Sequence, residues 1–403
     1  MIGIREIEEA RARIDEYVVT TPCAKSDWFS RLTGAKTFFK LENQQMTGSF
    51  KERGALNKIL TLSPTERERG VIAASAGNHA QGVAYHAGRL GIPATIVMPD
   101  RTPLIKVDNT RAFGATAVLA GGNYDEAYAE ARRLQEERGL TFVHPFDDDM
   151  VIAGQGTIAL ELLEQNPYLE VVLVPVGGGG LISGIAVAIK EVNPRIKVIG
   201  VQTEVLPSMK ASVEAGEPVT VQAGRTIADG IAVKRPGDRT LAYVRKYVDD
   251  IVTVSEEEIA NAILLLLERE KTVAEGAGAA SVAALINGKI PYAVGRKTAM
   301  IVSGGNIDVN MIARVIEKGL VKEGRLVRLV VQIEDRPGNL ARLLALVAEY
   351  AANVIEIHHD RAFGKSSFGE TTVELTLETR GRSHIEDLVA GLERGGYPVA
   401  EQA

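Results

Sequence analysis

The apolar run Val171-Val172-Leu173-Val174-Pro175-Val176 leads directly into Gly177-Gly178-Gly179-Gly180, and residues 181–190 continue with helical spacing. A strand that is apolar throughout has to be covered on both faces, as in parallel sheets. The same grammar recurs along the chain. Val71-Ile72-Ala73-Ala74 passes through Ser75-Ala76-Gly77-Asn78-His79-Ala80-Gln81-Gly82 into a helix. Strands over 94–98 and 115–119 flank a helix over 104–113, and a further helix covers 124–138. A helix over 151–164 precedes the 171–176 strand, and another strand follows over 197–201. Helices over 256–269 and 277–286 lead to a strand at 298–302 that ends in Ser303-Gly304-Gly305-Asn306. Alternation of this kind predicts an α/β architecture of two lobes built on parallel sheets. In such sheets ligands collect beyond the carboxyl ends of the strands, where these glycine turns fall.

Near the start, residues 5–16 read as a charged helix that Thr20-Thr21-Pro22 ends, and a strand covers 37–41. Past Gly319 the rhythm changes. Residues 321–325 read as a linker after a catalytic region over 1–320, within which the smaller lobe occupies about 45–140. Residues 326–333 alternate as a strand, Asp335-Arg336-Pro337-Gly338 turns, and 339–350 form an amphipathic helix. Strands at 354–358 and 371–377, a helix over 383–394 and a last strand near Pro398 complete a βαββαβ order. That order predicts a small ferredoxin-like module over 326–403.

With 403 residues, 45% hydrophobic and 24% charged, the chain can bury sizeable cores in two or three domains. A net charge of -6 argues against a nucleic-acid surface, which is ordinarily basic. No apolar run reaches the roughly eighteen residues that span a bilayer, and the charged first residues are unlike a secretory signal, so a cytoplasmic protein without membrane contact is expected. Cys23 is the single cysteine, which rules out an internal disulfide and points to a small buried side chain.

Lys51, in Gly48-Ser49-Phe50-Lys51-Glu52-Arg53-Gly54-Ala55, heads a helix. An ammonium is electrostatically misplaced at the positive end of a helix. Apolar Phe50 before it, and Gly48 and Gly54 on either side, suit a backbone packed closely against a ligand. A lysine held neutral there is a nucleophile able to form a Schiff base with a carbonyl cofactor. The glycine run at 177–180 offers backbone N–H groups to a phosphate at a helix N-terminus. It matches neither a dinucleotide fingerprint nor a P-loop.

The four segments 48–55, 75–82, 177–184 and 303–306, in this order with His144-Pro145-Phe146 and Ala228-Asp229-Gly230 between them, resemble the pyridoxal-phosphate enzymes of the threonine dehydratase (threonine ammonia-lyase) family. The resemblance covers roughly residues 1–320. It implies the tryptophan-synthase-β-like architecture, fold type II. Lys51 would be the Schiff-base lysine and general base, with Phe50 beside it. Asn78 would meet the ring hydroxyl, Gly177, Gly178, Gly179, Gly180 and Leu181 would hold the phosphate, Gly230 would border the cofactor, and Ser303 would face the pyridine nitrogen. A neutral serine there leaves the ring a weak electron sink, which favours prompt β-elimination over transamination. The amides near Ser75, Gly77 and Asn78 would bind the substrate carboxylate. Glu275 lies in a small-residue stretch that the resemblance puts near the cofactor. The implied reaction converts L-threonine to 2-oxobutanoate and ammonia, and L-serine to pyruvate.

Residues 325–403 resemble an ACT-type regulatory domain, on Asp335-Arg336-Pro337-Gly338-Asn339-Leu340. Such modules pair and take small amino acids at that turn, which implies isoleucine or valine as effector and a dimer or tetramer.

No metal is expected. His79 and His86 are two helical turns apart, Asp147-Asp148-Asp149 precedes a helix whose dipole acids offset, and His358 and His359 point to opposite faces of a strand. A serine racemase or serine dehydratase of the same family is the near alternative. Ala76 disfavours the racemase, since a methyl group cannot reprotonate a carbanion, and Gln202 stands where a cation-binding acid would be expected. A non-catalytic amino-acid sensor would have lost the lysine or the phosphate turn, and both are intact.

Overall fold

The 171–176 run forms the strand Val171–Pro175, buried at every residue, in the interior of a six-stranded sheet. Its order is Cys23–Ser26, Lys36–Leu41, Lys297–Val302, Val171–Pro175, Lys197–Thr203, Asp250–Val254. All pairings are parallel except the first, where Cys23 faces Lys40 across an antiparallel edge. A second sheet, wholly parallel, runs Thr116–Leu119, Ala94–Met98, Val71–Ala74, Thr141–Phe142. Each has its own core. Val172, Val174, Ile182, Ile185 and Ile301 belong to the larger, and Ala73, Val83, Ile96 and Met98 to the smaller. The computed structural model describes residues 1–222, 224–360 and 369–402.

Lys51 opens the helix Lys51–Leu60, which crosses the helix Asp149–Gln165 very closely. A Cβ on Gly54 would stand 2.7 Å from the Val151 carbonyl, and one on Gly154 would stand 2.7 Å from the Gly54 Cα. Gly54 therefore serves a helix crossing and not the approach of a ligand. Gly48, at φ +73°, packs instead against the Asn306 side chain. Cys23, expected to be buried, keeps partial exposure because its strand lies at the sheet edge.

The chain divides into two compact units, Met1–Ile307 and Asp308–Ala403. In the second, strands Asn353–Asp360, Glu370–Glu378, Leu326–Glu334 and Val399–Gln402 lie in that order, all antiparallel. With helices Asn339–Glu349 and Arg382–Arg394 they give the ferredoxin-like βαββαβ module. Val327, Leu329, Val331 and Ile333 alternate inward into its core. The unit begins with the helix Val309–Lys322, so the first two residues of the expected linker are helical. Nothing in Val321 or Lys322 breaks a helix; Gly324, at φ +67°, does. No described helix is long and apolar enough to cross a membrane.

Candidate active site

Lys51 Nζ donates to the Pro145 carbonyl at 2.9 Å and lies 5.2 Å from the centre of the Phe50 ring. No carboxylate pairs with it among the described residues. Burial pushes the ammonium down to about 8, against the opposing pull of Glu275. Two neighbouring histidines stay neutral. His79 Nε2 donates to the Val143 carbonyl at 2.8 Å, and burial, then the Lys51 charge, push the ring down to about 3. His144 Nδ1 accepts from the Asp147 N–H at 2.8 Å, and burial holds that ring at about 4. Lys51 thus has two neutral imidazoles for neighbours.

Pro145 leads to Phe146, whose ring lies under the glycine turn. A Cβ on Gly178 would meet that ring at 2.4 Å, and one on Gly180 would meet the Phe146 Cα at 2.9 Å. Gly179 adopts φ +97° and caps the helix Gly180–Val192. These glycines are demanded by contact and conformation together. Among the described residues the N–H groups of 177–182 donate to no protein acceptor, and the first one satisfied is that of Ser183, bonded to the Gly179 carbonyl at 3.0 Å. Thr240 Oγ1 fixes the turn by donating to the Gly178 carbonyl at 2.6 Å. A run of free N–H groups at a helix N-terminus is an anion cradle of the kind that binds phosphate. Leu181 offers only its N–H, since its side chain is part of the core.

The second helix start, Gly77 before Asn78–Arg89, has no side-chain cap. Ser75 Oγ accepts from the Gly77 N–H at 3.2 Å, and a Cβ on Gly77 would meet nothing within 4 Å, so this backbone faces open space. Asn78 reaches sideways: its Nδ2 donates to Glu275 Oε1 at 2.7 Å and its Oδ1 accepts from Asn306 Nδ2 at 2.8 Å. Asn306 Nδ2 also donates to the Thr47 carbonyl at 2.7 Å. Glu275 is 4% exposed, and burial, with Asp229 adding, pushes its carboxyl up to about 7. Gly304 and Gly230 leave it room, as a Cβ on either would come within 2.6 and 3.0 Å of Oε1.

Ser303 ends the strand Lys297–Val302, and its carbonyl accepts from the Phe50 N–H at 3.0 Å, while its hydroxyl has no protein partner among the described residues. Ser49 bridges Gly304 directly beside it. Backbone contacts thus join the Lys51 segment to the Ser303 turn, and Phe146 and Gly230 join both to the glycine cradle. Gly177 lies against Ile231, with a would-be Cβ 3.5 Å from the Gly230 carbonyl. Lys51, Phe50, Ser75, Gly77, Asn78, 177–181, Gly230 and Ser303 therefore belong to one region of the unit Met1–Ile307. Thr240 carried no signal in the sequence, and Asn306 and Pro145-Phe146 carried only their motifs. Glu275 did leave a signal, being the one acid in the small-residue run 274–286.

Elsewhere, Asp148 caps the helix Asp149–Gln165, accepting from the Met150 N–H at 2.8 Å, and Asp147 accepts from the N–H groups of Arg239 and Thr240. Among the described residues no group of three or more His, Cys, Asp or Glu could hold a metal ion.

A part-buried amine, an anion cradle and a hydroxyl without a protein partner among the described residues lie together after a strand, and the chain is similar to known proteins over long stretches. Residues 14–304 match the family "Pyridoxal-phosphate dependent enzyme". The L-threonine ammonia-lyase of Thermotoga maritima is 55% identical over 399 residues, 99% of both chains. Among solved structures, the processed form of threonine deaminase isoform 2 from Solanum lycopersicum aligns with a TM-score of 0.75 and 38% identity, over 78% of this chain and 92% of that one. A maize serine racemase aligns at 0.75 and 37%, over 80% and 99%. With one largely parallel and one wholly parallel sheet, and the lysine heading the helix that leads from the strand Lys36–Leu41 of the first toward the strand Val71–Ala74 of the second, this chain belongs to the pyridoxal-phosphate dependent enzymes of fold type II.

Proposed function

We propose that the protein is a threonine ammonia-lyase, converting L-threonine to 2-oxobutanoate and ammonia and accepting L-serine to give pyruvate. The observation that carries the reading is Lys51: an amine whose titration burial lowers to about 8, hydrogen-bonded to a carbonyl and without a carboxylate partner among the described residues. Relatives named for threonine deamination, matching end to end, support the choice of substrate. Pyridoxal phosphate, the cofactor, supplies when bound an electron sink for the α-carbon. The N–H groups of 177–181 would hold its phosphate, Phe50 and Gly230 would border it, Asn78 would meet the ring hydroxyl and Ser303 the ring nitrogen.

The chain's own groups then divide the work. The N–H groups at the start of the helix Asn78–Arg89, with Ser75 and Gly77, hold the substrate carboxylate. Lys51 Nζ takes the α-proton, which an amine of this basicity does well at neutral pH. The α-proton and the β-hydroxyl are lost together as one water, and the enamine left behind tautomerises by taking a proton at the β-carbon to an imine, whose hydrolysis releases the oxo acid and ammonia. Ala76 offers no acid to return a proton to the opposite face, so elimination prevails over racemisation.

The unit Asp308–Ala403 acts as an ACT-type regulatory module that pairs in a dimer or tetramer and takes isoleucine or valine at its 335–340 turn. Its support is the βαββαβ order together with that turn, where Gly338 at φ +88° precedes the helix Asn339–Glu349.

The test is product formation from L-threonine and L-serine by the holoenzyme and by Lys51→Ala, with and without isoleucine or valine. Loss of the base should lower the rate by about 10²–10⁴-fold. Accumulation of D-serine without oxo acid would replace this reading with the racemase, and rates indifferent to both effectors would remove the regulatory role.

A further inference from the structure

The chain Thr47, Asn306, Asn78, Glu275 has only one consistent direction. A backbone carbonyl can only accept, so the Asn306 atom bonded to Thr47 is Nδ2. That same Nδ2 faces Asn78, so the Asn78 atom it meets is the carbonyl oxygen, and the Asn78 NH2 is turned toward Glu275. One Nδ2 hydrogen of Asn78 is consumed by Glu275 Oε1, and the other has no protein acceptor among the described residues. Gly48 makes room for this arrangement, because a Cβ there would stand 2.5 Å from Asn306 Oδ1. Gly304 and Gly230 do the same for Glu275.

A carboxyl group this buried is expensive unless it does something. Its titration is raised by burial and by Asp229, and lowered by the Asn78 hydrogen bond, Lys106 and Lys51. No step of the proposed reaction uses it. We infer that Glu275 is a positioning residue: through the Asn78 amide it sets the direction in which that amide's remaining N–H is offered to the cofactor ring. The inference rests on the reading that Asn78 meets the ring hydroxyl. It separates two functions within one cluster, Asn306 setting which end of the Asn78 amide faces inward and Glu275 setting its tilt.

The test uses the full chain reconstituted with pyridoxal phosphate, as wild type, Glu275→Gln and Glu275→Ala, with three readouts: cofactor affinity, the visible absorption band of the bound cofactor, and melting of the apoprotein. Glu275→Ala should weaken cofactor binding about 10-fold, the scale of one lost hydrogen bond, and displace the band. Glu275→Gln keeps an oxygen acceptor for Asn78 and should restore both. The Glu275→Gln apoprotein should melt like wild type. Unchanged affinity and band in Glu275→Ala would overturn the inference, as would a glutamine variant that fails like alanine while its apoprotein melts early, since that is a packing role. If threonine is not turned over and the Glu275 series still behaves as expected toward the cofactor, the substrate assignment falls and this inference stands. Wild-type protein that takes up no cofactor overturns both.

Discussion

Lys51 and Arg53 lie two residues apart on one helix, so they point to different sides, and their surroundings treat charge in opposite ways. Arg53 is fully buried and saturated. Its Nε and Nη2 donate to Glu42 at 2.7 and 2.9 Å, its Nη1 and Nη2 to Glu161 at 2.6 and 3.1 Å, and Nη2 also to the Val19 carbonyl at 3.2 Å. Lys40 closes the cluster by donating to Glu161 at 2.5 Å and to the Thr21 carbonyl at 2.6 Å. Burial works against the Arg53 charge, but the two carboxylates outweigh it and raise its titration above the ordinary guanidinium. Around Lys51 burial wins. What separates a structural cation from a chemical one here is the company of carboxylates, since both are withdrawn from bulk water.

The largest test of this contrast is Arg53→Met. It leaves the buried Glu42 without a cation and Glu161 with Lys40 alone, and should cost about 3–5 kcal/mol in urea unfolding. A neutral result would mean that the cluster is solvated in solution. Arg53→Lys keeps the charge but loses the planar fork, so a smaller loss of about 1–3 kcal/mol should follow, read in the same titration.

Lys51→Met, measured on apoprotein, should have the opposite sign. The native amine titrates near 8 and the unfolded one near 10.5, so between those values the native state binds fewer protons and stability rises with pH. Below pH 8 the full penalty of a buried ammonium is present. The methionine variant should therefore melt above wild type at pH 7, by on the order of 1 kcal/mol after allowing for residual exposure, and the gap should close by about pH 10.5. A variant that melts below wild type would show that Lys51, too, is a structural cation.

Much of this was legible in the sequence, because βα alternation and glycine turns are local signals. The strands Val71–Ala74 and Ala94–Met98 and the helix Tyr124–Arg138 lie where the pattern puts them. The Arg53 cluster was not legible. Lys40, Glu42 and Arg53 read as ordinary polar positions until Glu161 arrives from a helix far along the chain. The pairing of Asn306 was hidden for the same reason, as its partner Thr47 is 259 residues away. The edge strands Cys23–Ser26 and Asp250–Val254 escaped because neither is continuously apolar. Glycines were ambiguous: the one at 54 answers to a helix, those at 178–180 to an aromatic ring and a helix start.

The pairing of Lys36–Leu41 with Lys297–Val302 also has a consequence for the protein's birth. The smaller sheet draws all its strands from residues 71 to 142, so its partners are all available early in translation. The larger one waits, its second strand without a permanent neighbour on one side until residue 302 has left the ribosome. Ser49 meets Gly304 at that same moment, so the lysine, the serine turn and the glycine cradle come together only when the first unit is nearly whole. A ribosome-bound fragment ending before residue 297 should hold no cofactor, and capture of the cofactor then reports that the unit has been finished.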